Sequence, residues 1–354
     1  MEILQDYSIE QLRDLLAEYG EKPFRAGQIF RGLAAGKKIS ELTELSLSLR
    51  AKLKERFADE AVRIVGKKIS SVDGTVKFLF ALWDGNVIEG VLMRYKYGNT
   101  QCVSTQVGCR VGCAFCASGI GGLVRNLTAG EIASEIYAVN RYLGGTTEKR
   151  QVTNVVMMGS GEPLDNYENS VRFLRLISAK DGLNVSPRNV SLSTCGIVPA
   201  IDRLSEEGLD VNLTVSLHNP FDERRRELMP IAKKYGVSEI LDACSHYFQK
   251  TGRRYIFEYS LVKGQNDGRE CADELIRLLK GRPCHVNLIR LNAVKEKNLE
   301  ATSDKDAYRF LGLLERGGLS ATVRRQIGVD IDGACGQLRR KFLNGEVEFE
   351  GQDR

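Results

Sequence analysis

Histidine is scarce in this sequence: there are three in 354 residues, His218, His246 and His285. None stands at finger spacing from a cysteine pair, which weakens any zinc-finger reading. Long apolar runs are also missing. Stretches such as VVMM at 155–158 are far too short to cross a bilayer. The first residues, MEILQDYSIEQLRDLL, are acidic and amphipathic rather than basic and then apolar, so no secretory signal is expected. No internal repeat, low-complexity segment or flexible linker interrupts the chain. These absences point to a cytoplasmic protein with no membrane partner. In such a reducing compartment the nine cysteines serve metal or redox chemistry rather than disulfide staples.

Hydrophobic residues make up 42% of the chain and charged residues 27%, ordinary values for a globular protein long enough for a large core. The net charge of +5 is modest. Its clustering says more, because Arg224–Arg226, Lys233–Lys234, Arg253–Arg254, Arg324–Arg325 and Arg339–Lys341 all fall in the second half. One such cluster is usually a solvated face, but five together favour a polyanion partner. No RNP, KH or zinc-knuckle pattern accompanies them.

The pattern of elements predicts three regions ahead of a short tail. Residues 1–60 read as helical, with Ser8 and Gln11 forming a capping box before Leu12, Leu15 and Leu16. From 61 to 95 the period changes to two, and Asp73-Gly74 and Asp84-Gly85 are turn signals, so an antiparallel meander is expected. Over 96–325 short apolar runs alternate with helical stretches: TNVVMMG, NVSLSTCG, LTVSLH, YIFEYSLV, HVNLIRLN and ATVRRQ. That grammar predicts βαβ units and an α/β partial barrel with its site at the strand C-termini. Residues 326–354 form a C-terminal loop and basic tail.

Residues 109–116, CRVGCAFC, carry the strongest local signal: Cys109, Cys113 and Cys116 are spaced C-x3-C-x2-C, with no fourth cysteine at ligand spacing. Structural zinc needs four closed ligands, and only the distant Cys102 or Cys335 is left to complete the set. A four-iron cluster held by three thiolates fits better. It leaves one iron without a protein ligand, free to chelate a small molecule. Gly108, Gly112, Ala114 and Ala117 let the backbone wrap closely around such a bulky group.

With Phe115 before the last cysteine and Gly161-Glu162-Pro163 following the VVMMGS strand, the chain resembles radical S-adenosylmethionine (radical-SAM) enzymes. In that superfamily the Gly-Glu-Pro tripeptide contacts the SAM amino group. The stretches CVSTQVGCRVGCAFCAS, GLVRNLTAGEI, MGSGEPLDNY, LSTCGIVPAI, SLHNP and DIDGACGQL narrow this to a resemblance to the RlmN/Cfr family, running from about residue 20 to 342. Its members are radical-SAM RNA methyltransferases that modify an adenine of 23S rRNA, and the RlmN branch also takes tRNA.

The resemblance implies a 4Fe–4S cluster on Cys109, Cys113 and Cys116. It implies a SAM site lined by Gly161, Glu162, Ser193, Ser216, Leu217, His218 and Asn292, and two SAM molecules per turnover. Cys335 would be methylated by the first SAM. A 5′-deoxyadenosyl radical from the second would then activate that methyl group for addition to adenine C2. Glu89 would take the ring proton, and Cys102 would close a disulfide with Cys335 to release the product. The setting of Cys335 is compatible: Gly333, Ala334 and Gly336 surround it, and flanking cations lower a thiol pKa. The family also implies an electron donor such as a flavodoxin-type reductant, and a monomer is expected.

Cys195 departs from the family pattern, standing where serine or another small residue is usual. The Cfr branch, which methylates C8 of the same rRNA adenine and confers antibiotic resistance, shares the core and the cysteines. A non-catalytic, zinc-bearing RNA-binding protein is the third reading, and it leaves the Gly-Glu-Pro strand end and Cys335 without a job.

Overall fold

Helix α1 (Ile9–Glu18) begins where the sequence predicts, because a reciprocal cap satisfies two of the N–H groups a helix start leaves unpaired. The Ser8 hydroxyl accepts the Gln11 N–H at 3.3 Å, and the Gln11 side chain accepts the Ser8 N–H at 3.0 Å. Helices α2 (Arg25–Ala34) and α3 (Leu47–Arg56) follow. In the computed structural model, which describes residues 1–291, 299–331 and 337–346, these helices do not stand apart. Leu12, Leu16, Ile29, Phe30, Leu49 and Leu53 share one continuous apolar core with the central sheet.

The predicted meander is present as β1 (Val62–Ile69), β2 (Val76–Leu82) and β3 (Val87–Tyr95), antiparallel in sequence order. Gly74 and Gly85, with φ of 71° and 84°, make the two turns that the Asp-Gly pairs signal. The sequence pattern did not anticipate β4 (Gly98–Cys102). This strand pairs antiparallel with β3 on one side and parallel with β7 (Val152–Met157) on the other. Meander and core are therefore one ten-stranded sheet, with β5 (Gln106–Gly108) and β6 (Leu123–Asn126) forming a separate two-stranded hairpin.

The six predicted parallel strands are β7, β8 (Val190–Thr194), β9 (Asn212–Ser216), β10 (Tyr255–Leu261), β11 (Cys284–Arg290) and β12 (Ala321–Val323). They lie side by side in chain order. Between them come α5 (Tyr167–Ser178), α6 (Val198–Ser205), α7 (Asp222–Leu228), α8 (Val237–Thr251), α9 (Arg269–Leu279) and α10 (Asp304–Arg316). Helix α4 (Ala129–Tyr142) precedes β7, with the predicted Thr128–Glu131 capping box at its start, and α11 (Gln337–Leu343) closes the described chain. Stepping always to the adjacent strand is the winding of a (β/α) barrel rather than of a doubly wound sheet. Among the described residues β12 pairs only with β11, so the barrel is partial and open. No described helix is long and apolar enough to cross a membrane.

Candidate active site

The cysteine loop leaves the β5–β6 hairpin at a point only glycine can occupy. Gly108 has φ 82°, and a Cβ there would lie 2.1 Å from the Gly122 carbonyl oxygen. Three backbone bonds then shape the loop: Cys109 N–H to Gly122 O (3.0 Å), Cys116 N–H to Cys113 O (3.2 Å) and Ala114 N–H to Leu228 O (2.8 Å). The last bond seats the loop on the end of α7. Burial pushes the Cys109 thiol up to about 11, and the neighbouring Cys116, Glu162 and Asp165 push in the same direction. The Cys113 thiol is raised further by burial, and then by Cys116 and Cys109.

The Cys116 charge counts against ionisation of both Cys109 and Cys113, and that of Cys109 against Cys113, so the thiols of the loop form a donor set suited to a cationic centre. Among the described residues no three metal-ligating side chains converge as ligands of one ion. A four-iron cluster, in which each thiolate binds a different iron, fits the chemistry of that donor set.

The Gly-Glu-Pro turn follows β7 and is fastened on two sides. Gly161 has φ 108°, and a Cβ there would lie 2.7 Å from both Gln106 Cβ and Thr105 Oγ1. The Glu162 N–H donates to the Gln106 side chain at 2.9 Å. The Glu162 carboxylate accepts the N–H groups of Leu164 at 3.0 Å and Cys195 at 2.6 Å. Burial raises the Glu162 pKa, and those backbone donors pull it back. Cys195, the departure from the family pattern, thus supplies a backbone donor that any residue but proline would supply.

Ser193 lies on β8 and Ser216 ends β9, both half-buried, with Leu217 and His218 fully or nearly buried just beyond. His218 holds a left-handed backbone, φ 56°, rare outside glycine and asparagine and typical of over-determined sites. Its carbonyl accepts the Asn266 amide at 2.6 Å, and its Nδ1 accepts the Ser260 N–H at 2.9 Å. The Phe115 ring meets the imidazole edge-on, with centroids 4.6 Å apart. Burial, and then the nearby Arg225 charge, lower the His218 pKa to about 3. The ring is therefore neutral, and because Nδ1 accepts, its proton sits on Nε2. Asn292 lies outside the described residues.

A cavity of about 310 Å³ opens at the strand ends, and Cys102, Cys116, Met93, Met158, Arg290 and Arg324 are among its walls. It brings Cys102, at the end of β4, into one space with a residue of the cysteine loop. Cys335 lies outside the described residues. The chain on either side of it is anchored to the meander: Asp330 accepts the Ser70 hydroxyl at 2.6 Å and the Ser71 N–H at 2.9 Å, and Leu338 packs on Leu79 and Val87.

Glu89 is buried, as the alternation on β3 allowed, but it does not line that cavity. Lys77 Nζ, itself wholly buried, stands 3.2 Å from its carboxylate. The Arg339 N–H donates to the same carboxylate, so Glu89 caps the first turn of α11. Lys77 and Glu89 are diagonal neighbours, since Lys77 pairs in register with Val91.

Two features were missed in the sequence. Ser104 and Gln106, within STQ, tie the parts together: the Ser104 hydroxyl donates to the Glu89 carbonyl at 2.8 Å and accepts the Ser160 N–H at 2.9 Å. Arg225 was grouped with an exposed basic triplet, and the structure corrects this, because its side chain is fully buried. Phe221, Leu228 and Met229 at helical spacing around it were the available signal. Arg253 is half-buried against Asn212, whereas Arg254 bonds the Cys284 carbonyl and stays exposed, so fewer cations face solvent than the clusters suggested.

The profile described as "Radical SAM superfamily" matches residues 103–279, and "Ribosomal RNA large subunit methyltransferase N-terminal domain" matches 3–58. A "Probable dual-specificity RNA methyltransferase RlmN" of Clostridium perfringens (strain 13 / Type A) is 49% identical over 348 residues, 98% of this chain and 99% of that protein. This chain belongs to the RlmN family. The RlmN relative of Lachnoclostridium phytofermentans is 48% identical over 95% of this chain and 94% of its own length. A crystal structure of a radical SAM methyltransferase from Sphaerobacter thermophilus, 43% identical, superposes with a TM-score of 0.90 over 95% of this chain and 99% of that one. The protein is a radical-SAM RNA methyltransferase acting on RNA, and membership of the superfamily implies a 4Fe–4S cluster and SAM.

Proposed function

We propose that this RlmN-family enzyme methylates C2 of an adenine in 23S rRNA and in tRNA through a methylated cysteine, consuming two SAM molecules per turnover. The observation that carries the reading is the shared cavity. A thiol outside the cysteine loop, Cys102, faces the same space as Cys116, with the anchored flanks of Cys335 nearby. The dual-specificity naming of the RlmN relatives supports two RNA substrates.

Cys109, Cys113 and Cys116 would hold the cluster, which when bound would supply the single electron needed to cleave SAM. Gly161, Glu162, Ser193, Ser216, Leu217, His218 and Asn292 line the SAM site, where neutral His218 offers an Nε2–H donor. The Cys335 thiolate displaces the methyl group from one SAM and carries it as a thioether. Hydrogen abstraction from that group by the 5′-deoxyadenosyl radical would leave a carbon radical that forms the new bond to adenine. The adduct would return one electron to the oxidised cluster and give its ring proton to Glu89, which leaves its Lys77 and Arg339 partners to take it, so that a thioether links protein and RNA. The Cys102 thiolate would then attack the Cys335 sulfur; the sulfur–carbon bond breaks with its electron pair on the RNA carbon, which takes up a proton to become the methyl group, and the disulfide frees the RNA. The adenine enters unstacked, because a buried cavity cannot admit it within a helix. The helical residues 1–60 and the exposed cations hold the RNA backbone. A flavodoxin-type donor, a monomeric state and a cytoplasmic location complete the reading.

The test uses anaerobically reconstituted protein of measured iron and sulfide content, SAM, a reductant and unmodified 23S rRNA or tRNA. The RNA is then digested to nucleosides for mass spectrometry. 2-Methyladenosine is expected, whereas 8-methyladenosine would assign the Cfr-type reaction, and neither product from loaded protein would refute the substrate. Cys335→Ala should retain iron and make no product, while Cys102→Ala should accumulate a protein–RNA adduct on denaturing gels.

A further inference from the structure

Among the described residues Arg225 is the largest fully buried side chain, at 0% exposure, and no carboxylate among them makes an ion pair with it. Its guanidinium donates only to neutral carbonyls: Leu217 O at 3.0 Å, Cys195 O at 2.8 Å, Ser216 O at 3.1 Å and Tyr235 O at 3.4 Å. A buried cation usually has an anion beside it, since carbonyl dipoles only partly replace the water it gives up. The carbonyls also occupy most of its donors, so it is poorly placed to grip a substrate carboxylate.

Arg225 sits on the helix that seats the cysteine loop. Helix α7 carries Arg225 and ends at Leu228, whose carbonyl receives the Ala114 N–H of the cysteine loop. Leu228 and Met229 pack with Cys113, Phe115 and Cys195. Burial lowers the Arg225 pKa, and the groups whose negative charge would oppose this are Cys195, Cys113 and, one turn back on α7, Asp222. Resting on the reading that Cys109, Cys113 and Cys116 hold the iron–sulfur cluster, we propose that Arg225 is a positioning residue that compensates the cluster's charge and sets its reduction potential. Three thiolates outweigh the positive charge of the core, and reduction adds one electron from a flavodoxin-type donor with no proton taken up. A fixed cation favours the more negative, reduced state. Through Cys195, Ser216 and Leu217 the same guanidinium braces the ends of β8 and β9, which carry the SAM-site residues, so cluster charge and cofactor site are held by one side chain.

The test is the midpoint potential of the reconstituted cluster, read by redox titration with electron paramagnetic resonance in the wild type, Arg225→Gln and Arg225→Lys. With iron and sulfide content equal to wild type, Arg225→Gln should disfavour reduction about tenfold, which for one electron is about 59 mV more negative. Arg225→Lys keeps the charge without the fork and should stay close to wild type. A loaded Arg225→Gln protein with an unchanged potential would overturn the proposal. If Arg225→Gln does not load, Arg225→Lys decides: a wild-type potential supports the role of the charge, and a tenfold loss overturns it. A wild-type protein that carries no cluster would instead refute the ligand assignment, and iron analysis separates that failure from this one.

Discussion

Single atoms decide the geometry of this site. Gly161 combines a φ of 108° with an approach to Gln106 and Thr105 that leaves no room for a Cβ. Gly161→Ala should therefore cost about 2 kcal/mol or more in stability, from left-handed strain plus the clash. It should also weaken SAM binding, because Glu162 is held from the same turn. Denaturant unfolding and calorimetric titration with SAM would check both, and an alanine variant with unchanged values would show that the turn is slack. The glycine and the cysteines were legible as letters in the sequence. The burial of Arg225 and the pairing of Lys77 with Glu89 were not, because the cost of burying a charge depends on neighbours that only folding supplies.

At the scale of elements, the C-terminal segment hangs on the β1–β2 hairpin through carboxylates. Burial pushes the Asp73 pKa up, but the N–H groups of Gly328 and Thr75 and the nearby hydroxyls outweigh it and hold it at about 2. Asp330 is lowered chiefly by the Ser70 hydroxyl, and then by Ser71. A depressed folded-state pKa contributes stability that is complete above the ordinary aspartate value and is lost as pH falls through the folded one. The anchor should therefore loosen between about pH 4 and about pH 2. Hydrogen exchange across residues 324–331 and 337–346 should rise in that window while the circular dichroism of the central sheet persists. Protection that persists until the whole protein unfolds would refute the carboxylate anchor. Strands β7 to β12 were legible because each buried strand is bounded by turn residues. Strand β4 was not, since GNTQC has no apolar run and its edges are supplied by β3 and β7.

For the molecule as a whole, β4 makes the meander and the barrel one sheet, and the N-terminal helices share its core. A chain joined in this way should unfold cooperatively. The only tryptophan, Trp83, sits on the β2–β3 turn, far along the sheet from the last parallel strands. Its fluorescence and the far-ultraviolet circular dichroism should trace a single transition in urea. If the tryptophan signal moved first, the meander would be a separate cooperative unit.

The sequence by itself determined the class of fold, the cysteine loop, the Gly-Glu-Pro turn and the family, because period, spacing and glycine are local properties. Only the tertiary structure decided which charges face inward, that Glu89 is shared between Lys77 and the start of α11, and that Cys102 meets the cysteine loop across one cavity. Those outcomes depend on residues far apart in the chain, and burial and electrostatics act between them only once the sheet has brought them together.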